Sequence, residues 1–427
     1  MPHNNNFQHA TYVRSDPGDR VKYFTFQPGP VVDSPGWTQA MGQVESRLAY
    51  AWVKGILFLN GHPYMDLFGS TRLDEVGGLK RGYSRGVSGL ESLLALLRPT
   101  TNGIYHGEDP IHPPLRNDAD SRTKLDKVAK EIGNFTSDYV QRFAKAIGQN
   151  GENNLVCERY LWSSVNHHLG RVEAAIDLLD FLEKEDVFRQ ESRVLLIGHG
   201  HAGQVLALLS NFLSVGEAEA RPGVFEILGR YWQACSDKSH LLDRLENLYQ
   251  LVSEGRLLNG VTVDITTLGT PIRHGWDTSG IGKLVHMVNH RPIRPDGKRW
   301  LSKMELPQIA WELPYLSGGD YVQQLAVAGT DEWPAAVEAQ QALEDFRDIF
   351  EPYDGFERWL ECARRSTRCQ NDGRCVLIDY PVQPDHGPRE HLFGHGCYTE
   401  SRAMFFMVRE IVDTLYGDST DEPIRQA

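Results

Sequence analysis

Short runs of β-branched and large apolar residues recur along the chain, and seven of them predict strands: 21–26, 55–60, 158–163, 193–198, 261–269, 321–329 and 375–382. Several, such as GILFLN and VLLIG, are apolar at every position rather than at alternate ones. That pattern is expected of parallel strands covered by helices on both faces. Between the runs the period changes. Val165, Leu169, Val172, Ile176, Leu179 and Leu182 recur at three- and four-residue intervals and predict a helix over 165–182. The stretch 201–213 is apolar nearly all round, as in a helix buried against a sheet. The stretch 401–416 turns Met404, Phe405, Val408, Ile411, Val412 and Leu415 to one side. Strands alternating with helices predict an α/β fold with a mainly parallel central sheet flanked by helices.

Three stretches break the alternation, near 99–151, 217–258 and 276–319; the last belongs to a region with four prolines and reads as an irregular excursion. On an α/β scaffold such insertions are expected as helical or irregular caps over a crevice at the carboxyl ends of the strands, with surface decoration or an oligomer contact as the alternative. The predicted organisation is an N-terminal segment over 1–45, a domain over 46–420 carrying these insertions, and a polar tail over 421–427.

Composition narrows the classes. Of 427 residues, 44 are Lys or Arg and 57 Asp or Glu, so the net charge is 44 − 57 = −13, and no long basic run is present. Nucleic acid and anionic membranes are therefore not expected partners. No apolar stretch nears the roughly 20 residues that span a bilayer, and the polar N-terminus lacks an apolar leader, which predicts a cytoplasmic protein. Six cysteines are too few for a disulfide scaffold, and Cys362, Cys369 and Cys375 cluster without the Cys-x2-Cys spacing of a zinc site, so buried thiols or one disulfide are expected.

The segment RVLLIGHGHAGQVLALL joins a strand to a buried helix through a tight Gly-rich turn. A side chain at the centre of such a turn is exposed, and small neighbours let the strand and helix approach closely. Gly198, Ala202 and Gly203 meet that need. Gly198, Gly200 and Gly203 also match Gly-x-Gly-x-x-Gly, but no acidic residue ends a following strand about 20 residues on, as dinucleotide binding requires.

With Gly198-His199-Gly200-His201-Ala202-Gly203, the turn resembles the nucleophile elbow of the lipase and esterase branch of the α/β-hydrolase superfamily, which usually reads Gly-His-Ser-x-Gly-Gly or Gly-His-Ser-x-Ala-Gly. Gly200 stands at the serine position, so no hydroxyl is available for an acyl-enzyme. An engineered replacement and a natural pseudo-hydrolase that binds ligand both fit this departure. The segment LGTPIRHG, after the next strand, is similar to a Gly-Thr-Pro segment of many lipases.

The resemblance implies a triad in the order nucleophile, acid, histidine. For the histidine it points to His395, in the loop FGHGCYT before the last helix, with His391 and His386 as rivals. Asp331, after the run YVQQLAVAGT, is the acid expected, with Glu332 and Asp379 as alternatives. The oxyanion hole would use the backbone N–H of His201 and one from Gly61 or His62, in the loop after the second predicted strand. His199 is expected to pack under the elbow, and His167, His168, His199 and His201 lack a matching carboxylate or thiol for a metal. No cofactor or metal is implied. The substrate expected is a small-molecule or lipid ester, with amides and lactones open to the same machinery.

Overall fold

The computed structural model describes residues 7, 21–61, 119–148, 155–165, 167–185, 192–215, 219–235, 237–271, 273–290, 319–320, 322–323, 334, 336–350, 370, 372–381 and 394–417. Among them, seven strands form one sheet in the order β1-β7-β6-β5-β4-β2-β3: β1 Val21–Thr25, β2 Val53–Leu59, β3 Val156–Tyr160, β4 Ser192–His199, β5 Val261–Leu268, β6 Leu284–Asn289 and β7 Arg374–Asp379. Every pairing is parallel. The helices are α1 Pro35–Tyr50, α2 Ala119–Ala129, α3 Ser137–Ile147, α4 His168–Lys184, α5 Ala202–Phe212, α6 Ala220–Ala234, α7 Leu242–Ser253, α8 Val337–Phe350 and α9 Met404–Tyr416.

The unbroken apolar runs are explained by two cores, one on each face. Successive side chains of a strand point to opposite faces. Leu57, Leu59, Val194, Leu196, Val263 and Ile265 meet α4 and α5, beyond which α6, α7 and α8 pack. Ile56, Phe58, Leu195, Ile197, Leu268 and Met287 face the other way, against α1, α3 and α9. Burying one such side chain contributes about 1.5–3 kcal/mol. All of α5 is buried, which accounts for the apolar surround of 201–213. In α9 the inward face includes Phe406 and Met407, while Phe405 is only partly covered.

The structure corrects two readings. A strand predicted over 321–329 is not seen where that stretch is described: Val322 and Gln323 are helical, and the rest of it lies outside the described residues. The strand between β5 and β7 is β6, inside the stretch 276–319 that reads in the sequence as an irregular excursion. Its sequence LVHMVN is buried throughout, but His286 and the prolines downstream masked the apolar pattern. Smaller shifts follow from capping. The predicted helix over 165–182 starts at His168, because His167 is its N-cap and its Nδ1 accepts the Gly170 N–H at 3.0 Å. The stretch near 99–151 supplies α2 and α3, and Tyr139 and Phe143 of α3 pack on Phe58 of the sheet. The segment 1–45 contributes edge strand β1, paired with β7, and most of α1.

Candidate active site

β4 lies inside the sheet, between β5 and β2, and ends at His199; Gly200 turns the chain and α5 begins at Ala202. Gly200 has φ +54°, a left-handed conformation that glycine adopts without penalty. The turn is fixed by its backbone: Gly200 N–H donates to Leu268 O at 2.9 Å, and Gly203 N–H donates to Gly200 O at 3.1 Å. Thr270, just beyond β5, adds a hydroxyl donated to Gly200 O at 2.9 Å. It sits so close to α5 that a Cβ on Gly203 would come within 1.9 Å of its Oγ1. The LGTP segment therefore packs directly against the turn.

Two further loops converge there. A Cβ built on Gly200 would lie 2.7 Å from His395 Nε2 and 3.8 Å from Gly61 Cα. His395 follows β7 and is buried, and its Nδ1 donates to Asp320 Oδ2 at 2.7 Å. In a neutral imidazole that leaves Nε2 as an acceptor facing Gly200. Asp320 is fully buried, and its backbone N–H donates to Asn289 O at 3.0 Å, which ties it to the end of β6. Its Oδ1 accepts the Gln323 N–H at 2.8 Å, and its Oδ2 also accepts the Tyr398 hydroxyl at 3.0 Å.

The histidine loop is braced from below. His199 Nε2 donates to His395 O at 2.8 Å, and Asn289 Nδ2 donates to Gly394 O at 2.9 Å. Burial, and next the His395 ring beside it, holds His199 well below the ordinary histidine range, so it is neutral. The loop after β2 is fixed as firmly. Asn60 Nδ2 donates to Asn134 Oδ1 at 2.8 Å, and Asn60 Oδ1 accepts the Phe135 N–H at 2.9 Å. Trp162 Nε1 donates to Asn60 O at 2.7 Å, and the Ser164 hydroxyl donates to Gly61 O at 3.0 Å. The α2–α3 connection grips the histidine loop too: Thr399 Oγ1 donates to Glu131 O at 2.5 Å, and Ser401 N–H donates to Glu131 Oε2 at 2.9 Å.

Gly200, His395, His201 and Gly61, all singled out in the sequence, thus meet at one place. Asp331, Glu332, His391, His386 and His62 lie outside the described residues. Among the described residues the carboxylate on His395 is Asp320, which sequence reasoning missed. The sequence places the expected acid beyond a strand at 321–329, whereas the carboxylate on His395 is tied to the end of β6. Asp379 ends β7 and pairs in register with Thr25 of β1; it is not the carboxylate on His395 Nδ1. Among the described residues, the thiol beside the histidine loop offers no substitute nucleophile. Burial first, and then the nearby Asp320 and Glu400, pushes Cys397 well above the ordinary thiol range, and it is therefore not a thiolate. Among the described residues no group of three or more His, Cys, Asp or Glu is arranged to hold a metal ion. None of the described helices is long and apolar enough to cross a membrane.

Comparison with protein-family profiles, with curated protein sequences and with solved structures gives no match. What is established is the class: an all-parallel α/β sheet flanked by helices, with a buried aspartate–histidine pair facing a strand-to-helix turn.

Proposed function

We propose that this chain is built as a carboxylic ester hydrolase of the α/β-hydrolase type, with Gly200 standing where the nucleophilic serine would be. The observation that carries the reading is the orientation of His395, whose Nδ1 is held by Asp320 and whose Nε2 faces position 200; a Cβ there would lie 2.7 Å from Nε2, so a serine requires the imidazole to draw back slightly. The turn, the acid and the histidine follow β4, β6 and β7 in the order that fold requires.

With a serine at 200, its Oγ would attack the ester carbonyl while His395 Nε2 takes the hydroxyl proton. Asp320 would stabilise the imidazolium, and the proton would pass to the leaving alkoxide as the C–O bond breaks. Water, activated by the same imidazole, would then release the acid from the acyl-enzyme. The tetrahedral oxyanion would accept from the His201 N–H and from the loop that includes Gly61, each such donor contributing about 3–4 kcal/mol to the transition state. As written, the chain has no hydroxyl to acylate and would bind ester without this turnover. A ligand-binding role is the second reading. It is favoured by the imidazole itself, which stands where a serine Cβ would press against it.

Hydrolysis of short- and long-chain p-nitrophenyl esters by the parent and by Gly200→Ser tests the proposal. The serine variant is expected to exceed the parent by about a thousandfold or more in kcat/KM, in line with the loss seen when a triad member is removed. Equal rates for the two chains would refute it.

A further inference from the structure

We propose that Tyr398 is a positioning residue of this site, its hydroxyl holding the Asp320 carboxylate in the orientation that fixes His395; this rests on the hydrolase reading of Gly200, Asp320 and His395. The loop that carries the histidine also carries this brace. Two residues separate His395 from Tyr398, which lies in the short 3-10 turn Cys397–Thr399. The ring is fully buried, with its centroid 5.7 Å from that of His199 and 6.2 Å from that of His395. Its oxygen has two defined partners. The Asn289 N–H donates to it at 2.6 Å, so its own proton is directed to Asp320 Oδ2 at 3.0 Å. Because Asn289 ends β6, the hydroxyl links a strand terminus to the carboxylate.

The consequence is geometric. Asp320 Oδ2 serves both Tyr398 and His395, while Oδ1 is held by the Gln323 N–H. Rotation of the carboxylate about its Cβ–Cγ bond would break both anchors at once. Loss of the hydroxyl leaves the Gln323 N–H on Oδ1 as the hold on the carboxylate besides His395 itself, and takes from the Asn289 N–H the acceptor at 2.6 Å. Burial, and after it the Asp320 charge, pushes the Tyr398 hydroxyl well above the usual tyrosine range, which keeps the donor proton in place throughout the working pH of a histidine base.

The test uses Tyr398→Phe, which keeps the ring, in the full parent chain and in the Gly200→Ser chain. A buried Tyr–Asp bond elsewhere supplies the control: Tyr416 donates to Asp264 Oδ2 at 2.6 Å, and Asp264 pairs with Arg193. In the parent, the far-downfield proton resonance of His395 Nδ1–H is expected to broaden or vanish in Tyr398→Phe and to persist in Tyr416→Phe. In Gly200→Ser, Tyr398→Phe is expected to lower kcat by roughly ten- to a hundredfold with KM nearly unchanged, while Tyr416→Phe leaves both in place. An unaltered resonance together with an unaltered kcat overturns the proposal. If Gly200→Ser is inactive on every ester but the resonance still depends on Tyr398, the hydrolase reading falls and the positioning role stands. Should Tyr398→Phe not fold, replacing tyrosine throughout by 3-fluorotyrosine alters the acidity of the hydroxyl at constant shape; a resonance that does not move then overturns the proposal.

Discussion

At the scale of single residues, the turn after β4 depends on what its glycines leave out. Gly200 provides a left-handed φ, and any L side chain there costs of the order of 1–3 kcal/mol in backbone strain. Gly203 answers a different need, because it lies inside α5, where alanine would otherwise improve helix propensity by about 1 kcal/mol. Contact with Thr270 outweighs that gain. A Cβ 1.9 Å from Oγ1 cannot be accommodated without moving a threonine whose hydroxyl holds Gly200 O. Gly203→Ala is expected to destabilise the fold by about 1–3 kcal/mol, the range for overpacking a tight interior. Denaturant unfolding checks this; an alanine variant as stable as the parent or more so would show that the helix and the threonine are not in such contact.

At the scale of elements, the sequence exposed the strands whose neighbours are apolar and concealed the one whose residues serve the site. β2, β4, β5 and β7 stood out because both faces are covered. β6 did not, since it carries the polar His286, whose Nδ1 shares a hydrogen bond with Thr267 Oγ1 at 2.6 Å, and Asn289, whose side chain is spent on Gly394. Missing β6 displaced the expected acid, so Asp320, set beside Asn289 by a backbone hydrogen bond, went unread. Gly200 and His395 were legible because a local motif and its place in the chain mark them. Tyr398 and Asn134 were not. Each acts through a partner far away in sequence, and no local pattern announces a hydrogen bond between Tyr398 and Asp320 or between Asn60 and Asn134. The connection between α2 and α3 is also more than decoration: through Asn134 and Glu131 it ties the loop after β2 to the histidine loop.

At the scale of the whole molecule, two neutral buried histidines give the fold a pH dependence. Burial lowers His286 to about 3, and it holds His199 well below its ordinary value. Unfolded histidine titrates near 6.5. Between that pH and the folded values the unfolded chain therefore binds more protons, so stability rises with pH. This contribution is complete above about pH 6.5 and is lost progressively as pH falls toward 3, at up to about 1.4 kcal/mol per pH unit for each group. Thermal midpoints of the parent and of His286→Gln from pH 7 to pH 4 check it: the gap between the two chains is expected to narrow or reverse in favour of the variant on acidification. A gap constant with pH would mean that His286 is not held neutral in the fold.

The sheet brings three loops from distant parts of the chain to one point, and the claim that this point is a nucleophile position admits a direct measurement. Gly200→Ser, the parent, and Gly200→Ser with His395→Ala are treated with a fluorophosphonate at low molar excess, which phosphonylates a serine activated by a neighbouring base far faster than other side chains, and their intact masses are compared. The account predicts one covalent adduct on Gly200→Ser, mapping to position 200, and none on the parent or on the chain lacking His395. A folded Gly200→Ser chain that takes no adduct, or one labelled equally well without His395, would contradict it.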